Sequence, residues 1–181
     1  LSVALAVFNE EKNLDRCLSA VTAIADEIVI VDGGSTDNTT KIAKKFGAKV
    51  IETTHPLIFH INKQKALNAA TGEWVLLLDA DEIVTESLAS EIKSTISLDK
   101  SQIRDRKLSP KLAREFQRHL GVLESTYGPV GQKTGDTVAF FIPRKNYFLG
   151  HFLTKGGVYP DFTVRLVKRG SGKFGLKSVH D

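Results

Sequence analysis

The chain of 181 residues holds a single cysteine, Cys17, and that scarcity closes several routes at once. An internal disulfide needs two thiols and a cysteine-based metal site needs several, so both are excluded, and the usage suits a reducing compartment. Cys17 falls on the apolar side of a helical pattern, where a buried structural thiol is expected. No stretch reaches the ~18 consecutive apolar residues of a membrane span, and no secretory leader is visible. Internal repeats and low-complexity tracts are also lacking. Methionine is absent altogether: the chain opens at Leu1 inside a strand-like run and stops at Asp181 as a new motif begins, so both ends are expected to be cut. Glycine is missing where a dinucleotide-binding turn needs it. The first apolar run ends in Phe8-Asn9-Glu10-Glu11, and no Gly-Lys-Ser/Thr phosphate loop occurs anywhere.

What is present is ordinary for a soluble globular protein, with 41% hydrophobic and 25% charged residues. The length suits one generous domain or a domain with an extension. The excess of base is uneven. Residues 101–119 carry Arg104, Arg106, Lys107, Lys111, Arg114 and Arg118 against Asp105 and Glu115, a surplus equal to the whole chain's formal net charge of +4. Such a basic helical patch can attract anionic lipid, a phosphorylated glycan or nucleic acid, or can be a solvated helix face.

Along the first half, apolar runs alternate with helical patterns. Residues 2–8, 27–31, 48–51 and 73–78 read as strands. Leu14, Cys17, Leu18, Val21 and Ile24 recur at helical spacing, and further helices are expected over 39–46, 62–70 and 87–96. Asp37 or Asn38 can cap the second of these helices and Gly47 can end it. The alternation predicts an α/β fold with a mostly parallel, doubly wound sheet, whose right-handed crossovers place all the strand carboxyl ends on one rim. The tips 9–11, 32–37 and 79–81 then share a crevice. After residue 96 the pattern loosens: 97–119 is polar and basic, 120–136 is rich in glycine and turn formers, and strands are expected near 137–142 and 162–167. The expected organisation is a nucleotide-binding half over 1–96 and an acceptor-side half over 97–181 of the same domain.

The central strand, Glu73-Trp74-Val75-Leu76-Leu77-Leu78, ends abruptly in Asp79-Ala80-Asp81. Carboxylates one residue apart at a strand's carboxyl end make a compact oxygen-rich site for Mg²⁺ or Mn²⁺, or simply an acidic turn before a helix. The glycines that the first strand lacks follow the second, as Asp32-Gly33-Gly34-Ser35-Thr36-Asp37. That arrangement can hold a base and ribose by carboxylate hydrogen bonds while a metal carries a diphosphate. Trp74, Tyr159 and Phe162 are readable as core aromatics, although Tyr159 and Phe162 could also stack on a sugar ring.

Taken together, Val7-Phe8-Asn9-Glu10-Glu11, Val31-Asp32-Gly33-Gly34-Ser35-Thr36-Asp37 and Leu78-Asp79-Ala80-Asp81-Glu82 resemble, in order and spacing, the family-two glycosyltransferases of the GT-A fold. Gly156-Gly157-Val158-Tyr159-Pro160-Asp161, Arg165-Leu166 and Val179-His180-Asp181 resemble more loosely the lipopolysaccharide core β-glucosyltransferase branch, which usually has Glu where this chain has Asp181. The resemblance implies a Rossmann-like three-layer α/β/α domain that moves a hexose from a nucleotide-diphosphate sugar, UDP-linked by preference, to a glycolipid or lipopolysaccharide-type acceptor with inversion. It implies Asp32 against the base, with Phe8, Asn9 and Glu11 lining the pocket, and Lys63 (Lys65 is its rival) on the nucleotide or its phosphate. It implies Asp81 as the better metal ligand, with Asp79 on the ribose or a metal-bound water. Asp181 is then the general base and Asp161 the alternative, with His180, Tyr159 and Asp161 as acceptor or sugar contacts. A divalent cation, no nucleic acid, and a cytoplasmic location that admits peripheral contact with the inner membrane complete the expectation. A nucleotidyltransferase and a non-catalytic nucleotide-sugar sensor are the rival readings.

Overall fold

The computed structural model describes residues 1–54, 58–130 and 135–175. They form two compact units, Leu1–Ser97 with Leu166–Asp181, and Leu98–Arg165. In chain order the first unit runs β1 (Ser2–Val7), α1 (Leu14–Ser19), β2 (Glu27–Asp32), α2 (Thr39–Lys45), β3 (Lys49–Glu52), α3 (His60–Ala69), β4 (Trp74–Leu78) and α4 (Glu86–Ile96). The second runs α5 (Lys100–Arg104), α6 (Pro110–Tyr127), β5 (Ala139–Arg144), β6 (Tyr147–Phe148), β7 (His151–Phe152) and β8 (Asp161–Lys168), of which the last turn of strand from Leu166 belongs to the first unit.

In the first unit β1, β2, β3 and β4 are all parallel, in the order β3-β2-β1-β4, and Leu166, Val167 and Lys168 add an antiparallel segment beside β4. The sequence explains the arrangement. Every residue of β1 and β4 is buried, as continuous apolar strands in a sheet covered on both faces must be. β3, at the edge, is short and exposed at both ends. Going from β1 to β2 to β3 by right-handed crossovers puts α1 and α2 on one face, where they contact each other, and the return from β3 to β4 puts α3 on the other, against β1 and β2. Three layers result. The register sets Val7 beside Asp32 and Leu5 beside Leu78, so β1, β2 and β4 deliver their next residues to the same rim.

At the opposite rim a polar clamp fixes the strand starts. Ser2 Oγ donates to Glu27 Oε2 and accepts from the Gly72 amide (2.8 Å), while Thr71 gives its amide and hydroxyl to the same Glu27 oxygen (2.8 and 3.1 Å). Burial alone would raise the Glu27 carboxyl, but these donors outweigh it and hold it below its ordinary value.

The second unit differs from the sequence expectation in two places. Residues 120–136 were expected to be irregular, yet α6 continues through Gly121 to Tyr127. Leu112, Phe116, Leu120 and Leu123 keep helical spacing, which outweighs the ~1 kcal/mol cost of one interior glycine. Ser109 caps the helix by accepting from the Leu112 amide, Pro110 opens it, and Gly128 closes it at φ +82°. Phe116 and His119 of α6 pack on Phe141 of β5 and Phe162 of β8, with ring centroids 5.2–5.7 Å apart. The β6–β7 hairpin was not expected at all. Of the basic patch, Lys111, Arg114 and Arg118 lie on α6 itself and, with Glu115, line an open depression, whereas Arg104 ends α5.

Candidate functional site

The tips of β1 and β2 are sewn together by side chains that the motifs supply. Asn9 takes a left-handed conformation (φ +55°), which Asn tolerates better than most residues. Its amide donates to Ser35 Oγ (2.8 Å) and its Oδ1 accepts from the Thr36 amide (2.8 Å). The Glu10 amide donates to Thr39 Oγ1 (2.7 Å), and the Glu11 amide to Asp37 Oδ2 (3.1 Å). Glu11 Oε2 in turn accepts from the backbone and side-chain amides of Asn38 (3.1 and 3.0 Å). Thus Asn9 and Glu11, expected to line a pocket, both hold the turn after β2. Phe8, beside them, is partly exposed.

Asp32 is 1% exposed. Its Oδ2 accepts from the amides of Gly34 and Ser35 (both 2.9 Å) and its Oδ1 from Ser35 Oγ (2.6 Å). These occupy three of the roughly four lone-pair sites of a carboxylate, so most of its acceptor capacity braces the turn. Gly34 sits at φ +87°, with the Thr53 carbonyl in contact range of any Cβ placed there, so the turn needs glycine at that position. Asp37 caps α2 from outside the helix: its Oδ1 accepts from the Thr39 amide (2.9 Å), whereas Asn38 makes no side-chain cap. Burial opposes ionisation of Asp37, but hydrogen bonds from Thr39 and from the Glu11 amide hold its carboxyl below the ordinary range.

The end of β4 is a separate cluster. Asp79 makes an ion pair of 2.5 Å with Lys63 of α3, and the Lys63 ammonium also lies 4.5 Å from the Phe59 ring centroid. Lys65, the rival position, instead donates to Thr53 Oγ1 (2.8 Å). The turn after β4 closes on itself, the Asp79 amide donating to Glu82 Oε2 (3.1 Å) and the Glu82 amide to the Asp79 carbonyl (3.0 Å). Ala80 is buried and Asp81 exposed. Behind the turn lies Cys17, 3.6 Å from the Asp79 carbonyl. Burial, then the charges of Glu82, Asp81 and Asp79, push its thiol up to about 12, so it stays an uncharged wall of the acidic tip.

Among the described residues no group of three or more His, Cys, Asp or Glu converges to hold a metal by itself. The donors at this tip are all carboxylate oxygens, and Mg²⁺ or Mn²⁺ commonly takes one or two of these with the remaining positions filled by substrate phosphate and water. The donor set fits a cation shared with a phosphorylated ligand.

A second contact reaches α3 from the end of the described chain. Gln64 Oε1 accepts from the Phe174 amide (2.7 Å), His60 Nδ1 lies 3.0 Å from the Gly175 carbonyl, and the His60 and Phe174 rings stack at 5.5 Å. His180 and Asp181 lie outside the described residues. In the second unit Asp161 opens β8, its Oδ2 accepting from Arg144 Nη2 (2.6 Å), Arg144 Nε (3.1 Å) and Asn146 Nδ2 (3.2 Å). Burial would raise this carboxyl, but the Arg144 and Asn146 hydrogen bonds and the Arg144 charge hold it below its ordinary value. Tyr159, just before it, has the Lys145 ammonium 5.6 Å from its ring centroid.

Sequence reasoning missed Ser35, Thr39, Glu82 and Gln64. Ser35 and Thr39 carried a readable signal, since an acid followed by small hydroxyl residues two or three places on is a self-bracing turn. Gln64 carried none, because its partner lies over a hundred residues away.

Comparison with known proteins adds an independent line. The family description "Glycosyl transferase family 2" matches residues 2–103. A TPR repeat-containing protein of Synechococcus elongatus is 38% identical over 96 residues, 53% of this chain and 24% of that protein. An uncharacterized glycosyltransferase of Rickettsia typhi is 37% identical over 94 residues, 51% of this chain and 32% of its own length. The lipopolysaccharide core biosynthesis glycosyltransferase LpsC of Rhizobium meliloti is 26% identical over 190 aligned positions, covering 100% of this chain and 56% of LpsC. The chain therefore spans between about a quarter and just over half the length of these relatives.

Proposed function

Because the chain belongs to glycosyl transferase family 2, with the GT-A type of α/β fold, we propose that it moves a hexose from a nucleoside-diphosphate sugar, UDP-linked, to a glycolipid or lipopolysaccharide-type saccharide with inversion at the anomeric carbon. The observation that carries this reading is the end of β4, where Lys63 from α3 meets Asp79 and leaves Asp81 exposed beside them. A cation of ammonium type and two carboxylates at a sheet's carboxyl rim suit a diphosphate better than they suit an uncharged ligand. Support for the acceptor class comes from the likeness to LpsC over the whole of this chain.

In the proposed roles, the β1 and β2 tips hold the nucleoside: Phe8 lines the base pocket, and Asn9, Glu11 and Asp32 present oxygens to base and ribose. Asp79 faces the ribose side, and its pairing with Lys63 keeps the lysine extended toward the phosphates. Asp81, with Asp79, would hold Mg²⁺ or Mn²⁺, which supplies Lewis-acid stabilisation of the leaving diphosphate when bound. The acceptor oxygen bonds to the anomeric carbon as the bond to the diphosphate oxygen breaks, and the acceptor's proton passes to a carboxylate. Asp181 is assigned that role. Two things favour it over Asp161: the chain leading to it is held on α3 at Phe174 and Gly175, and Asp161 is made a weak base by Arg144. His180 and Tyr159 are then acceptor contacts. A cytoplasmic site of action fits a nucleotide-sugar donor.

The test is release of UDP from UDP-hexoses, with Mn²⁺ or chelator and with or without acceptor glycolipid. Asp81→Ala should cost about 10²–10³-fold in turnover, the range for losing one electrostatic stabiliser, with the far-ultraviolet circular dichroism unchanged. Wild-type turnover in this variant sinks the metal role. Donor binding without any turnover in the parent protein would instead favour a non-catalytic sugar-nucleotide sensor.

A further inference from the structure

The β6–β7 hairpin carries side chains that a water-facing hairpin normally avoids. Tyr147 pairs with Phe152 and Phe148 with His151, and the turn between them is Leu149-Gly150 with φ of +46° and +84°. Positive φ at both central residues is the geometry of a type I′ turn, which favours Asn, Asp or Gly at the first position. Here that position holds leucine, a bulky residue in a conformation it rarely adopts, and it is 82% exposed. Tyr147, Phe148 and Phe152 are each at least 60% exposed. The base of the hairpin is firmly rooted. The Leu153 amide donates to the Asn146 carbonyl (2.8 Å), and Asn146 and Arg144 both bind Asp161.

Along the hairpin itself the charge has one sign, although Asp161 neutralises Arg144 at its base. Residues 137–160 contain Arg144, Lys145 and Lys155 and no acid. The Lys145 ammonium lies over the Phe152 and Tyr159 rings, at 5.5 and 5.6 Å. Aromatic rings flanked by lysines, with aliphatic and phenyl groups at the extremity, is the composition that settles at a membrane–water boundary. A second protein fits less well. At ~200 Å² per ring the three aromatics expose about 400 Å², roughly half of what a standard protein interface buries on each side.

We propose that the β6–β7 hairpin is a membrane-seating tip: Phe148 and Leu149 enter the headgroup–acyl boundary of an anionic bilayer while Lys145 and Lys155 remain at its surface. This deepens the acceptor side of the proposed function, since a glycolipid acceptor lies in such a surface, and for its purpose it rests on that reading. The hairpin, rather than the basic face of α6, is the element assigned to the contact.

The experiment is co-sedimentation of the full chain with phosphatidylcholine vesicles with and without phosphatidylglycerol, in the absence of sugar donor. The parent should bind the phosphatidylglycerol vesicles. F148S/L149S should weaken that binding by tenfold or more, the loss expected when one large apolar side chain is no longer buried. K145E/K155E should weaken it at least fivefold for each lysine, and mainly at low salt. Circular dichroism and UDP affinity should be unchanged in both variants. No binding by the parent overturns the proposal. So does binding that both hairpin variants leave intact but K111E/R114E abolishes, and so does concentration-dependent self-association that F148S/L149S removes without any vesicle binding. Because no donor is used, vesicle binding can survive while UDP release fails; that result would sink the transferase reading and leave the hairpin assignment standing.

Discussion

Of the two aspartates proposed for the proton of the acceptor hydroxyl, Asp161 has surroundings that argue against it. Asp161 is engaged three times on one oxygen by Arg144 and Asn146, so it gives up basicity to its partners. Asp181→Asn should therefore keep UDP affinity and lower turnover by about 10²–10⁴-fold, the usual contribution of a general base. Asp161→Asn should leave the reaction's pH profile unchanged while lowering thermal stability, because it strips the Arg144 guanidinium of its carboxylate. Steady-state kinetics and melting curves on both variants check the pair, and the reverse pattern makes Asp161 the base. The position of the acidic tip was legible at this scale. An apolar run ending in Asp-Ala-Asp has one natural place in an α/β sheet. What could not be read was division of labour: that Asp32 spends most of its acceptor capacity on its own turn, and that Lys63 rather than Lys65 reaches Asp79. Those depend on where α3 crosses the sheet, which no local pattern encodes.

Elements of the first unit were readable because β1, β2 and β4 are almost wholly buried apolar runs and because α1 and α4 repeat their apolar residues at helical spacing. The clamp below β1 and β4 shows what that reading leaves out. A Cβ on Gly72 would come within 2.7 Å of Ser2 Oγ and 2.9 Å of the Ser2 amide nitrogen, and the nitrogen cannot move without shifting β1. Gly72→Ala should therefore destabilise by about 1–3 kcal/mol, the usual cost of overpacking. At this chain length that is a fall of several degrees in Tm, measured by thermal unfolding. Since the clamp lies at the rim opposite the acids, turnover of the folded fraction at low temperature should not change. In the second unit, legibility fell with local regularity. The Ser109-Pro110 start of α6 is a readable signal, yet Gly121 and the turn formers after it masked a helix that side-chain spacing alone would have extended. The hairpin escaped because its turn carries leucine where a turn signal would be sought.

At the scale of the whole molecule, the chain leaves its first unit after Ser97 and returns to it at Leu166, where three residues pair with β4. The return is invisible to sequence periodicity, since antiparallel pairing between segments some ninety residues apart has no local signature. Its result is that Phe174 and Gly175, beyond β8, lie on α3, the helix whose Lys63 holds Asp79. One helix thus touches both the segment that leads to the proposed base and Asp79, proposed to face the donor, and any energetic coupling through it is reciprocal by thermodynamic linkage. If UDP with Mn²⁺ slows trypsin cleavage after Lys173 by some factor at equilibrium, Phe174→Ala should weaken UDP by no more than that same factor. Protease protection and calorimetric affinity, measured on one preparation, would be two readings of a single coupling constant.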